Sequence, residues 1–181
     1  MPSHPDDVLA DAWRDAWRFA AEAHHGQTFP GTELPYDVHV ASVAAETLLG
    51  LEDAAQPDRC LALQCALLHD VLEDTAVPAE ALGARFGEAV LAGVRALSKD
   101  ASLPREQRMA DSLRRIRAQP RAVWCVKLAD RITNLDTPPA FWSAEKVAAY
   151  RAEASEILAA LGDASPRLAA RLQRRIAVYG R

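Results

Sequence analysis

The chain has 181 residues, half of them apolar and a quarter charged, and its formal net charge is −4. This length suits one domain around a single core, and the acidic balance gives no general reason to expect nucleic acid or an anionic membrane as a partner. The sequence lacks a basic region followed by an apolar run at its start and an apolar stretch long enough to span a bilayer, so we predict a cytoplasmic protein.

Helical periodicity runs through nearly the whole chain, and no segment alternates apolar and polar residues as a strand would. We predict a first helix up to about Gly26, followed by a loop in which glycine and proline break the helix. A second helix begins at Tyr36. A central helix follows and ends near Asp74. Its segment 58–68 is apolar on nearly every face, which predicts that it is buried.

The later elements are also helical, and glycine or proline separates them. They are predicted from Pro78, from Phe86 to about Lys99, over 107–119, over 123–135 and, as two long amphipathic helices, over 144–178. We therefore predict an all-α bundle in which residues 1–181 form a single domain.

The apolar segment of the central helix runs into four ionisable residues, His69, Asp70, Glu73 and Asp74. Burying such groups at the end of a core helix is costly unless something uses their charge. Residues four apart lie on one helical face, so these four form two adjacent polar rows. A metal ion with a water molecule beside it would compensate for their burial.

Two further helices carry a polar side chain on an otherwise apolar face. His39 faces inward, and a lone histidine in such a place is more often a hydrogen-bonded core residue than a metal ligand. Asp130 has apolar neighbours, and a buried aspartate must be paired, hydrogen-bonded or metal-bound. Together with the His69-Asp70 pair, these groups form a mixed nitrogen and oxygen set that suits Mn²⁺, Fe²⁺ or Zn²⁺. The alternative is a buried His–Asp network that holds no metal.

The same residues carry a family resemblance. The segments AAEAHHGQ, PYDVH, ALLHDVLEDT, FGEAV, LSKD and VKLADRITNL follow one another in the chain. In this order they resemble the HD-domain phosphohydrolases, and more narrowly the hydrolase domain of the RelA/SpoT family and its small stand-alone members. Those proteins remove the 3′-pyrophosphate of guanosine tetra- and pentaphosphate. The resemblance is strongest over 18–135, and the C-terminal helices over 144–178 are compatible with it.

The resemblance implies a role for each polar residue of the predicted site. The implied metal ligands, usually of Mn²⁺, are His39, His69, Asp70 and Asp130. The implied acidic pair that orients and deprotonates the attacking water is Glu73 and Asp74. The positions expected near a small anionic nucleotide, with ppGpp as the leading candidate, are Tyr36, Lys99 and Asn134.

The loop after Gln27 departs from the family pattern. An Arg-Lys pair that contacts guanine and phosphate is common there, whereas this chain has Thr28-Phe29-Pro30-Gly31. Phe29 either stacks on a base or packs in the core. Two alternatives to ppGpp hydrolysis therefore stay open, namely an HD hydrolase of another nucleotide or phosphorylated cofactor, and a catalytically silent nucleotide sensor.

An arginine-rich segment covers residues 105–121. Such a run usually forms a solvated helix face. If it borders the site, its charge would attract a polyphosphate from solution.

Overall fold

A computed structural model describes residues 5–51 and 54–181. The helices are α1 (Pro5–Ala23), α2 (Asp37–Leu49), α3 (Gln56–Leu68), α4 (Val71–Asp74), α5 (Ala79–Phe86), α6 (Glu88–Leu97), α7 (Arg105–Arg117), α8 (Arg121–Asn134), α9 (Ala144–Leu161) and α10 (Pro166–Val178), with a 3₁₀ turn at Gly162–Ala164. The β-structure found within the described ranges is an isolated bridge between Thr28 and Pro35. The prediction of an all-α fold is confirmed. In the parts of the chain that the structure covers, no helix is both long and apolar enough to cross a bilayer.

Helix α3 lies at the centre of the bundle and packs against α1, α2, α6 and α8. Its Leu63, Leu67 and Leu68 side chains are fully buried, and so are Leu128 and Ile132 on α8. Each buried aliphatic side chain of this size stabilises the fold by about 1.5–3 kcal/mol. Because α3 and α8 are the interior helices, the few polar side chains that they carry are brought inside the molecule.

Sequence signals account for several helix ends. The hydroxyl of Ser165 accepts a hydrogen bond from Leu168 N at the start of α10, and Pro166 occupies the first helical position. Ser143 caps α9 in the same way. Gly87 ends α5 and begins α6 with a φ of 84°, a backbone conformation that glycine adopts without steric cost. Helices α9 and α10 pack on each other and on α8.

The central helix is interrupted at its polar end. The prediction of one helix reaching Asp74 is wrong, because His69 and Asp70 separate α3 from α4. His69 Nδ1 lies 2.8 Å from the carbonyl oxygen of Ala66. In a continuous helix that carbonyl would accept the N–H of Asp70. The imidazole occupies it instead, and the chain turns at Asp70 before α4 begins.

Candidate metal centre and active site

The four residues predicted as metal ligands lie together, and they come from α2, the turn between α3 and α4, and α8. His39 Nε2 lies 3.8 Å from Asp70 Oδ2 and 3.6 Å from Asp130 Oδ1. His69 Nε2 lies 2.9 Å from Asp70 Oδ2 and 3.7 Å from Asp130 Oδ1. Donor atoms of His39, His69 and Asp70 all fall within 4.8 Å of one another. We call these four residues the His–Asp cluster.

The His69 imidazole is oriented as a metal ligand would be. Its Nδ1 must carry the proton, because it lies 2.8 Å from the Ala66 carbonyl oxygen, which can only accept. Its Nε2 is buried and has no hydrogen-bond partner among the described residues, even though Asp70 is close. Histidines that bind metals commonly donate their other ring N–H to a backbone carbonyl. Nε2 faces two carboxylates, 2.9 Å from Asp70 Oδ2 and 3.7 Å from Asp130 Oδ1, and this arrangement fits a divalent cation.

Burial and charge shift the pKa values within the His–Asp cluster in opposite directions. Burial, and then the neighbouring His69, lowers the pKa of His39 to about 4. Burial also disfavours protonation of His69, but Asp70 and Asp130 outweigh it and raise the pKa of His69 well above its usual range. Burial opposes ionisation of Asp70, yet the His69 charge keeps its pKa below the usual value. The two carboxylates thus require a positive charge between them, which a proton or a metal ion supplies.

Each carboxylate of the cluster is also held by a neighbouring side chain. The Tyr36 hydroxyl donates to Asp70 Oδ2 at 2.5 Å. Burial, and then the Asp70 charge, raises the pKa of Tyr36, so this hydroxyl remains a donor. Lys127 Nζ donates to Asp130 Oδ2 at 3.0 Å, and Asn134 Nδ2 donates to Asp130 Oδ1 at 2.5 Å. Lys127 was not among the residues predicted from the sequence, although its place three residues before Asp130 on one helical face was the available signal.

The acidic pair lies on α4, one turn beyond Asp70. Asp74 N donates to the Asp70 carbonyl at 2.8 Å. Glu73 Oε2 accepts a hydrogen bond from the backbone N–H of Lys99 at 2.8 Å, and Lys99 Nζ lies 4.0 Å from Glu73 Oε1. Burial, and then the charges of Asp70 and Glu73, raise the pKa of Asp74. The Asp74 carboxylate is thus close enough to Asp70 to be affected by its charge, and the Glu73 carboxylate is fixed by a backbone donor.

The loop between α1 and α2 covers one side of the cluster. It folds back on itself through the bridge from Thr28 to Pro35 and a 2.9 Å hydrogen bond from Phe29 N to the Leu34 carbonyl. The Phe29 ring stacks on the His39 imidazole, with centroids 5.1 Å apart and planes inclined by 18°. Phe29 therefore packs against a residue of the cluster.

A cavity of about 470 Å³ opens beside the cluster. Phe29 forms part of its wall, and Asn134, which is bonded to Asp130, lies at its edge. Most of the lining is aromatic or apolar and includes Pro138, Pro139, Ala140, Trp142, Tyr150 and Tyr179. Among the described residues that line the cavity there is no lysine or arginine, and the charged side chain is Asp136.

The arginine-rich segment 105–121 is largely engaged with the fold. Arg108 donates to two backbone carbonyls of the preceding loop. Arg115 donates to the Ser98 carbonyl and to Asp111. Arg115 and Arg114 also line a second cavity of about 400 Å³, together with Leu72 and Lys99. Part of the segment therefore holds the loop before α7, and another part borders α4.

The chain is similar in sequence to a family model and to known proteins. The family model described as "HD domain" matches residues 16–172. A Danio rerio protein named guanosine-3′,5′-bis(diphosphate) 3′-pyrophosphohydrolase MESH1 is 32% identical over 160 residues, covering 86% of this chain and 87% of that protein. A Vibrio cholerae protein named guanosine-3′,5′-bis(diphosphate) 3′-pyrophosphohydrolase is 38% identical over 136 residues, which are 70% of this chain and 18% of that protein.

A solved structure is also similar over nearly the whole chain. It is described as a metazoan orthologue of SpoT that hydrolyses ppGpp and plays a role in starvation responses. The TM-score is 0.78 at 27% sequence identity, and the match covers 99% of this chain and 98% of the other.

Proposed function

The chain belongs to the HD-domain family, and we propose that it is a metal-dependent phosphohydrolase that removes pyrophosphate from the 3′ position of ppGpp. The observation that carries the proposal is the convergence of two imidazoles and two carboxylates, in which the buried His69 Nε2 faces both Asp70 and Asp130. The Danio rerio relative named as such a pyrophosphohydrolase supports it, because the match spans most of both proteins.

The proposed metal ligands are His39, His69, Asp70 and Asp130. A set of imidazole and carboxylate ligands suits Mn²⁺, Fe²⁺ or Zn²⁺, and the family resemblance favours Mn²⁺ among them. When bound, such a cation supplies positive charge that polarises phosphoryl oxygens and lowers the pKa of water. Lys127 holds one oxygen of Asp130 and leaves the other facing the two imidazoles.

Glu73 and Asp74 are proposed to orient and deprotonate the attacking water. The Lys99 N–H holds Glu73 Oε2, which leaves Oε1 available to accept a hydrogen bond from water. The water adds to the phosphorus next to the 3′ oxygen, the P–O3′ bond breaks, and the 3′ oxygen leaves with the electron pair and takes up a proton. The products are pyrophosphate and a nucleoside 5′-diphosphate. A positioned carboxylate base typically contributes about 10²–10⁴-fold to such a step.

The nucleoside is proposed to occupy the cavity of about 470 Å³. Asn134 lies between this cavity and Asp130, and Trp142 and Tyr150 offer aromatic faces. Stacking tolerates any base. The loop after Gln27 lacks the Arg-Lys pair that commonly contacts guanine and phosphate in the family. Loss of such a charge-assisted contact typically costs about 1.5–3 kcal/mol, or roughly ten- to a hundredfold in affinity. We therefore expect ppGpp to be cleaved without a large preference over other phosphorylated nucleotides.

Lys99 and Asn134 are proposed to contact the substrate directly, since each lies beside the acidic pair or the His–Asp cluster. The Tyr36 hydroxyl is already bonded to Asp70, and unlike Asn134 the Tyr36 side chain does not line the cavity proposed for the nucleoside. We therefore propose that Tyr36 acts on the substrate through Asp70 rather than by direct contact.

The test is release of pyrophosphate or phosphate from a panel containing ppGpp, its adenosine counterpart, NADPH and simple mononucleotides. Chelator should abolish turnover, and Mn²⁺ should restore it. Asp70→Ala should lose both bound metal and activity, whereas Glu80→Ala, at an exposed position on α5, should lose neither. Full metal content in Asp70→Ala would contradict the ligand assignment. An exclusive preference for ppGpp would contradict tolerance of the base, and no turnover by the metal-loaded protein would favour the silent sensor.

A further inference from the structure

His24 is a buried polar residue that the proposed chemistry does not use. It follows directly after α1 and is 3% exposed. Its Nε2 is buried and finds no hydrogen-bond partner within the described part of the chain. The ring stacks on Tyr36, with centroids 4.7 Å apart and planes inclined by 30°. Since burying a polar atom without a partner is costly, the position of this ring requires an explanation.

One set of contacts leads from His24 to Asp74. His24 Nδ1 lies 2.8 Å from Gln27 Oε1, and Gln27 Nε2 donates to the Asp74 carbonyl at 2.9 Å. Because the amide oxygen can only accept, His24 Nδ1 is the donor of the first bond. The imidazole thereby orients the Gln27 amide, which bonds the last residue of α4.

Helix α4 needs such a bond from outside. It has four residues, far fewer than a helix needs to be stable by itself. The carbonyl groups at a helix end have no partner within the helix. Gln27 satisfies the carbonyl of Asp74, and the Lys99 N–H holds the side chain of Glu73. The orientation of both acidic residues therefore depends on neighbours outside α4.

A second set of contacts leads from His24 to Asp70. The Tyr36 ring on which His24 stacks carries the hydroxyl that donates to Asp70 Oδ2. Tyr36 N also donates to the Gln27 carbonyl at 3.0 Å. One imidazole thus contacts both the side chain that holds Asp70 and the side chain that holds Asp74, which are the two ends of a single helical turn.

We propose that His24 and Gln27 are positioning residues that keep Asp74 in place relative to Asp70. We call the pair the α4 brace. The inference rests on the proposed function, since the chemistry that it serves is the one assigned to α4. In this arrangement, the Gln27 amide fixes the position of the acidic pair, and the His24 ring fixes the orientation of Tyr36.

Two substitutions of His24 separate these contacts. His24→Phe keeps a ring on Tyr36 but removes the donor to Gln27, whereas His24→Asn keeps an amide N–H near the Nδ1 position but removes the ring. His24→Phe and Gln27→Ala should each lower kcat about tenfold, the scale of one lost hydrogen bond, with KM and Mn²⁺ affinity unchanged. His24→Asn should keep kcat and weaken Mn²⁺ binding. His25→Phe is the matched control at the exposed neighbouring position and should match the wild type.

The double variant His24→Phe/Gln27→Ala tests whether both residues act through one path, because its kcat should be no lower than that of the worse single variant. Two results would overturn the brace. One is a loss of kcat in the double variant equal to the sum of the losses in the single variants. The other is an unchanged kcat in the single variants, with only a lower melting temperature. A wild-type protein that cleaves no nucleotide would count against the proposed function alone. In that case the brace is tested by amide hydrogen exchange of α4, which Gln27→Ala must accelerate relative to His25→Phe, and equal exchange would overturn it.

Discussion

Replacing Lys127 by methionine should destabilise the metal-free protein far more than the Mn²⁺-loaded protein. Lys127 Nζ lies 3.0 Å from Asp130 Oδ2, and the two side chains are 8% and 9% exposed. Methionine fills a similar volume but carries no charge. The substitution therefore leaves the Asp130 carboxylate buried without its ammonium partner.

The expected loss of stability follows from the short distance and the burial of this ion pair. At 3.0 Å and an effective dielectric constant of about 20, the attraction is about 5–6 kcal/mol. Removing one member of a buried ion pair typically costs about 3–5 kcal/mol, because the remaining charge is uncompensated. A cation held by Asp130 supplies that compensation, so we expect the loaded protein to lose about 2 kcal/mol less than the metal-free one. By linkage, that difference must appear as roughly thirtyfold tighter metal binding.

Urea unfolding with and without Mn²⁺ measures the two losses of stability, and isothermal titration calorimetry measures the change in Kd independently. Lys146→Met is the control, since Lys146 is exposed and its Nζ contacts the Trp142 ring instead of a carboxylate of the cluster. Equal destabilisation with and without Mn²⁺, or weaker metal binding by Lys127→Met, would refute the assignment of Asp130 as a ligand.

Three further outcomes are expected. Glu73→Gln should retain its metal while kcat falls about 100-fold or more, as for a lost general base, and metal loss measured by elemental analysis would instead make Glu73 a ligand. Gly93→Ala should lower the free energy of unfolding by about 1–3 kcal/mol in urea titrations. Its added Cβ would lie 2.6 Å from the Cys65 sulfur, and unchanged stability would mean that this sulfur moves freely. Burial raises the pKa of Cys65 to about 12 and that of Cys125 to about 11, so both thiols stay protonated near pH 8. Iodoacetamide should therefore label the partly exposed Cys60 first, and early labelling of Cys65 detected by mass spectrometry would contradict its burial.

Helical periodicity was sufficient to predict that His39 and Asp130 are buried. His39 and Asp130 each occupy an apolar helix face, and both are buried as that pattern predicts, with exposures of 5% and 6%. The apolar segment 58–68 forms the central helix α3. Their proposed roles as ligands of one cation stay a prediction that the metal analysis tests.

Other features depend on contacts that no local pattern encodes. At the break between α3 and α4 the His69 ring bonds the Ala66 carbonyl, and helical periodicity does not predict such a contact between a side chain and the backbone. Gln27 reaches across 47 positions of the chain to Asp74. Phe29 contacts His39 because its loop folds back on itself through a single bridge. Such long-range bonds become visible when the helices are placed in space.

Phe29 lies between the His–Asp cluster and the cavity, and this limits how the protein can be redesigned. One face of its ring packs on the His39 imidazole, and the same side chain is a wall of the cavity proposed for the nucleoside. Substitutions at this position would alter base preference and the environment of a proposed metal ligand together. Trp142 lines the same cavity and packs instead against Tyr150. We therefore expect substitutions at position 142 to change base preference without changing cation loading, whereas substitutions at position 29 would change both.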